Sequence, residues 1–76
     1  MAGELNVDTF VMAIAALLTP GGITTELMTD REDGPHLMRC HHPAAGRSVF
    51  LLADPADCSL ARAELLADYV KREIPI

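Results

Sequence analysis

Residues 36–53 read HLMRCHHPAAGRSVFLLA, and this stretch decides the fold. It contains two segments typical of β-strands, His36–His42 and Ser48–Ala53, separated by Pro-Ala-Ala-Gly at positions 43–46. Proline and glycine at the two ends of so short a segment favour a turn. Because the connection is too short for a crossover helix, the two strands are predicted to pair antiparallel.

The two strands differ in the character of their faces. One face of the first carries His36, Met38, Cys40 and His42, and the other carries Leu37, Arg39 and His41. Ser48–Ala53 is apolar on both faces. We expect Leu37, Val49 and Leu51 to form an apolar patch on a sheet face that the helices leave open, which is typical of an interface. If the helices instead lie on both sides of the sheet, both faces are buried; the sequence leaves this choice open.

A helix and a further strand are predicted before this hairpin. Val7–Leu18 places its apolar residues three and four positions apart, as in an amphipathic helix, and Asn6 before it is a suitable N-cap. Ile23–Asp30 alternates in the manner of a strand. The Asp-Gly pair at 33–34 favours a tight hairpin turn into the next strand.

The chain closes with a second helix that is predicted to end near Glu73. Its start is open, because Asp54 suits the N-cap of a helix beginning at Pro55, and Asp57 or Ser59 offers a later start. At 76 residues there is room for one core, so we predict a single α+β domain spanning the whole sequence. Its order is helix, three-stranded antiparallel meander, helix.

The composition is acidic. Eleven Asp and Glu residues oppose six Lys and Arg residues, which gives a net charge of −5 at pH 7. This charge disfavours direct binding to nucleic acid or to an anionic membrane surface. It favours a protein partner with a basic surface, above all one that itself binds nucleic acid.

Seven of the eleven carboxylates fall into three groups along the sequence. These are Asp30, Glu32 and Asp33 in the first hairpin, Asp54 and Asp57 before the last helix, and Glu64 and Asp68 within it. In a meander, the first hairpin and the turn after the third strand lie at the same end of the sheet. A concentrated negative surface there imitates phosphate and suits a basic channel. The ordinary alternative is solvated loop charge, with Asp54 or Asp57 serving only as a helix cap.

Metal binding and thiol chemistry are the remaining hypotheses for Cys40 and Cys58. Three histidines complete a set of zinc-type ligands, but the spacing matches no zinc module. Cys40 and His41 are neighbours on one strand and point to opposite faces, which separates a nucleophile from its base. We expect no metal, no other cofactor and no enzymatic activity, and a cytoplasmic protein with reduced thiols. A zinc protein or a thiol enzyme stays a further alternative.

Two acidic features of the sequence resemble those of a known class of proteins. They are the run Asp30-Arg31-Glu32-Asp33 and the carboxylates Asp54, Asp57, Glu64 and Asp68. In acidity, length and compact layout the chain resembles the small inhibitors that phages and mobile elements use against host defence, such as anti-CRISPR proteins. The resemblance implies a stoichiometric inhibitor that blocks a nucleic-acid-binding or nuclease-recruiting surface of an effector complex. The alternative is a small homodimeric chaperone or regulatory subunit that uses an exposed apolar sheet face. Secretion chaperones, which are small, acidic and dimeric, are similar in element order, but the chain is short for that group and lacks its additional strands.

Overall fold

A computed structural model describes residues 5–29 and 35–74, and in these residues it has two helices and three strands. The helices are α1 (Val7–Leu18) and α2 (Leu60–Glu73), and the strands are β1 (Thr24–Leu27), β2 (His36–His42) and β3 (Arg47–Ala53). The strands form one antiparallel sheet in the order β1-β2-β3. The predicted α+β fold, with a meander between two helices, is confirmed. The first strand is shorter than predicted, and Asp30 at its predicted end lies outside the described residues.

The first helix begins and ends at the predicted residues. The Asn6 side chain accepts a hydrogen bond from the Thr9 amide at 2.8 Å, which satisfies an N–H group that has no partner within the helix. Beyond α1 the chain makes a 3₁₀ turn, Thr19–Gly21, and leaves it through Gly22 at φ +80°. Glycine adopts this left-handed conformation readily because it has no Cβ atom.

We expect Gly22→Ala to lower the free energy of unfolding by about 1–2 kcal/mol, the usual cost of left-handed backbone in a residue with a Cβ atom. The added methyl group lies 3.5 Å from His42 Nε2, an ordinary contact, so the backbone carries the cost. Urea unfolding followed by circular dichroism measures the change. Gly21→Ala is the matched control, because Gly21 has no positive φ. Equal losses for the two variants would contradict the prediction.

The second helix begins at the latest of its predicted starts. Pro55–Asp57 form a separate 3₁₀ turn, in which the Asp54 side chain accepts a hydrogen bond from the Ala56 amide at 2.9 Å. Ser59 then caps α2 by accepting from the Arg62 amide at 3.1 Å. Asp54 was predicted as a possible cap of the last helix. It is a cap, but of the 3₁₀ turn that precedes the helix.

Both helices cover the same face of the sheet. α1 packs against α2 and β1, and α2 also contacts β3. The buried apolar residues of the core are Phe10, Ile14, Leu18, Ile23, Met38, Cys40, Leu51, Ala53, Cys58, Ala63, Ala67, Val70 and Ile74. His36 and His42 are buried on the same inner face of β2. Of the two arrangements that the sequence left open, the structure has the one in which the opposite face stays uncovered by helices.

Candidate functional site

The sheet face turned away from the helices is partly apolar. Strand pairing places Leu37 opposite Leu52 and Arg39 opposite Phe50. Phe50 and Leu52 keep 56% and 62% of their surface exposed, and Leu37 is half-buried. We call these four residues the open face. Two large apolar side chains at this exposure, adjacent on one sheet surface, are typical of a protein interface.

The polar groups of the same surface are arranged in pairs. Arg39 Nε lies 3.6 Å from Glu26 Oε1, and His41 Nδ1 lies 2.7 Å from Ser48 Oγ. The distance from Arg39 to Glu26 is that of an ion pair and is too long for a hydrogen bond. Among the described residues, the buried Nε atom of Arg39 has no hydrogen-bond acceptor. One cation and one anion leave this surface without net charge, although the whole chain carries −5.

The structure corrects the predicted membership of the apolar patch. Leu37 lies on the open face, but Leu51 is 6% exposed within the core and Val49 packs against the core. The reason is the register of the second hairpin, which puts the odd-numbered residues of β3 on the inner face with the even-numbered residues of β2. Phe50 and Leu52 are therefore the outward residues of β3, and the sequence prediction missed them.

At one end of the sheet the open face meets two carboxylates. The groove at this end is lined by Phe10, Pro35, Leu52, Asp54, Asp57 and Arg62. We call this groove the acidic end. Asp57 Oδ2 lies 3.7 Å from Arg62 Nε, and both side chains are about half exposed. Because an exposed ion pair of this kind contributes at most about 1 kcal/mol, Asp57 stays available to a partner.

The residues that flank the first hairpin lie at the same end of the sheet. The Leu37 amide donates a hydrogen bond to Thr29 Oγ1 at 2.9 Å, and Pro35 lines the acidic end. The predicted acidic group of this hairpin, Asp30, Glu32 and Asp33, falls outside the described residues. Thr29 and Pro35 thus lie at the sheet end where β3 leads into Asp54.

Glu64 and Asp68 belong to a different surface. They line a shallow depression between the helices together with Leu17 and Lys71. At 3.6 residues per turn, Glu64 and Asp68 lie about 160° and about 120° around the α2 axis from Arg62, which lines the acidic end. Because α2 carries three acidic and three basic residues, its carboxylates are interleaved with cations. The structure therefore brings Asp54 and Asp57 together and leaves Glu64 and Asp68 apart from them.

The cysteines are packing residues of the core. Cys40 and Cys58 are 0% and 1% exposed, and the Cys58 thiol donates a hydrogen bond to the Asp54 carbonyl oxygen at 3.1 Å. Burial raises the pKa of Cys40, and a 4.0 Å hydrogen bond from the Thr25 hydroxyl to its sulfur offsets part of that rise. A buried thiol that is held protonated is a poor nucleophile. In residues 5–29 and 35–74, no three His, Cys, Asp or Glu side chains are arranged to hold a metal ion.

Comparison with known proteins gives no relative on which to base a function. No family model matches the chain, and no curated protein and no solved structure is significantly similar to it. Within the described part of the chain, neither helix combines the length and the apolar character that crossing a membrane requires. Function is therefore inferred from the open face and the acidic end.

Proposed function

We propose that this protein is a non-enzymatic inhibitor that binds the basic site of a nucleic-acid-binding protein. The observation that supports this most directly is the acidic end, where Asp54 and Asp57 border a groove that includes Leu52 of the open face. Arginine and lysine side chains combine an apolar stem with a charged head, so carboxylates beside an apolar surface suit them. The resemblance to anti-CRISPR proteins indicates the class of partner, an effector complex that holds DNA or RNA.

The proposed binding surface includes the three carboxylates of the first hairpin, Asp30, Glu32 and Asp33. We include them because Pro35, which follows them, lines the acidic end, and Thr29, which precedes them, accepts a hydrogen bond from the Leu37 amide. A partner site that normally receives phosphates would meet several negative charges here, and long-range attraction would accelerate the encounter. The protein would act stoichiometrically, in the cytoplasm and without a cofactor.

We expect the variant Asp30→Asn, Glu32→Gln, Asp33→Asn to bind the partner at least about tenfold more weakly, because it removes charge that faces a basic site. Tagged protein captures the partner from a nuclease-treated lysate of the source cells. Titration of the purified partner at low and high salt then gives Kd. Circular dichroism establishes that the variant is folded.

A matched variant removes the same charge from another part of the chain. Glu64→Gln, Asp68→Asn, Glu73→Gln takes three negative charges from α2, and we expect Kd to change by less than about threefold, since distant exposed charges are screened. Added duplex DNA or RNA should displace the inhibitor from its partner, and salt should weaken the complex. The proposal fails if partner binding survives both the hairpin variant and excess nucleic acid, or if the two charge variants lose affinity equally.

A further inference from the structure

The strand β3 forms one edge of the sheet, and the pairing of its neighbours fixes the direction of its backbone groups. The Met28 amide donates to the Leu37 carbonyl oxygen at 2.7 Å, so Leu37 directs its N–H and C=O groups towards β1. These directions alternate, so the even-numbered residues of β2 bond to the odd-numbered residues of β3. Ser48, Phe50 and Leu52 therefore direct their N–H and C=O groups away from the sheet. Within residues 5–29 and 35–74, no backbone hydrogen bond joins them to another segment.

The two edges of the sheet differ in how they resist further pairing. β1 has four residues and includes Glu26, and a short edge with a charged residue is a poor template for another strand. β3 has seven residues, and from Ser48 to Ala53 it contains neither a charged residue nor a proline. A long, uncharged edge with unpaired backbone groups favours the addition of a strand.

We propose that the added strand is β3 of a second copy of this chain, paired antiparallel about a two-fold axis at Phe50. In this register each Phe50 pairs with the other Phe50, and each Ser48 pairs with Leu52 of the second copy. The residues that pair are the ones whose backbone groups point outward. The strand is therefore complementary to itself in this register.

The charges at the two ends of β3 favour the same arrangement. Arg47 is the first residue of the strand and Asp54 follows its last residue. In this register Arg47 pairs with Ala53 of the second copy, so it lies at the same end of the joined strands as that copy's Asp54, whereas a parallel pair would bring like charges together at each end. Charge complementarity therefore favours a second copy of the chain, paired antiparallel, as the added strand.

Pairing also covers apolar surface that the single chain exposes. Phe50 and Leu52 lie on the open face, so their side chains meet those of the second copy across the axis. Val49 and Leu51 remain on the inner side with the core. The two three-stranded sheets become one continuous sheet, and the joined surface carries no net charge in its centre.

Salt should affect this association and the proposed binding to a basic partner in opposite directions. Each copy carries a net charge of −5, so two copies repel each other at long range. Salt screens this repulsion and leaves backbone hydrogen bonds and apolar contacts in place, so the dimer should strengthen as salt rises. The complex with a basic partner should weaken under the same conditions.

Sedimentation velocity over a concentration series is expected to show a monomer–dimer equilibrium. Phe50→Lys should weaken it at least about tenfold, since it places two like charges opposite each other at the axis. Leu60→Lys is the matched control, because Leu60 is 55% exposed, as Phe50 is 56% exposed, and lies on α2. The control should dimerise as the unchanged protein does. A monomer at every concentration, or a dimer that survives Phe50→Lys, overturns the inference.

Amide hydrogen exchange tests the same interface without a substitution. The amides of Val49 and Leu51 bond within the sheet and should be protected at every concentration. The amides of Ser48, Phe50 and Leu52 should exchange rapidly in dilute protein and slowly in concentrated protein. Rapid exchange of these three amides in a dimeric sample would place the interface elsewhere and overturn the inference.

Discussion

Ile14→Ala should lower the free energy of unfolding by about 2–5 kcal/mol, the range seen when a large aliphatic side chain is removed from a packed core. Ile14 is fully buried at the centre of α1, where the helix meets α2 and the sheet. A domain of this length is expected to have only about 4–11 kcal/mol of stability in total. The substitution therefore removes a large share of it, and at physiological temperature a substantial fraction of the variant should be unfolded.

Met12→Ala is the control for this prediction. Met12 lies on the same helix two residues earlier and is 69% exposed, so its truncation should change the free energy of unfolding by less than about 0.5 kcal/mol. Urea titration followed by circular dichroism compares the two variants. If Ile14→Ala lost no more stability than Met12→Ala, Ile14 would not be packed in the core.

The positions of the helices could be predicted because local signals agree with the tertiary structure. The Asn6 cap, the apolar spacing and the Pro-Gly segment all define α1, and the structure follows them. The start of α2 was ambiguous because Asp54, Asp57 and Ser59 are all suitable caps within six residues. Tertiary packing decides between them: Asp54 caps a separate turn, and Ser59 caps the helix.

A sheet face left uncovered by the helices was one of the two predicted arrangements, but the prediction assigned the wrong residues of β3 to that face. Ser48–Ala53 is apolar at every position after the serine, so alternation cannot tell which side of β3 is inward. Only the hairpin register does so, by pairing Cys40 with Val49 and Met38 with Leu51. The four-residue turn between the strands was the available signal, since its length fixes which residues of β3 share a face with those of β2.

The grouping of the acidic residues in space could not be predicted from the sequence either. The sequence analysis counted Glu64 and Asp68 with Asp54 and Asp57 as partner-binding residues, but in the structure the two pairs line different grooves. It also gives some carboxylates a structural partner, as Asp57 has in Arg62. Such pairs depend on how a turn meets the next helix, which charge counting along the chain does not show.

Cys40 and Cys58 should react with iodoacetamide at least about a thousandfold more slowly in the folded protein than in urea. Both thiols are essentially inaccessible, so alkylation requires an opening of the core, and open molecules are expected at fractions of about 10⁻³ or less. While the core is closed, the raised pKa of Cys40 keeps its thiol protonated, so alkylation proceeds through the open molecules, in which burial no longer raises the pKa. Mass spectrometry of quenched samples gives the two rates separately.

The raised pKa of Cys40 also makes stability depend on pH. The unfolded chain releases the thiol proton near the ordinary value of 9.0, and the folded chain releases it only at higher pH. The contribution of the Cys40 thiol to the free energy of unfolding is therefore fully present below pH 9. It decreases as the pH rises from 9 towards the pKa of Cys40 in the folded chain. We expect urea midpoints to fall over this alkaline range less steeply in Cys40→Ala than in the unchanged protein. Val70→Ala is the control, because Val70 is fully buried and has no ionisable group.

The two alkylation rates also distinguish the kinds of opening. Cys40 lies in the central strand, whereas Cys58 precedes α2, where its carbonyl oxygen accepts a hydrogen bond from the Leu5 amide at 2.6 Å. Equal rates at both thiols would mean that the core opens as one unit, and a faster rate at Cys58 would mean that this peripheral contact opens first. Rapid alkylation of Cys40 in the folded protein would contradict its burial. That result would return the thiol-enzyme hypothesis to consideration, because only an accessible thiolate can act as a nucleophile.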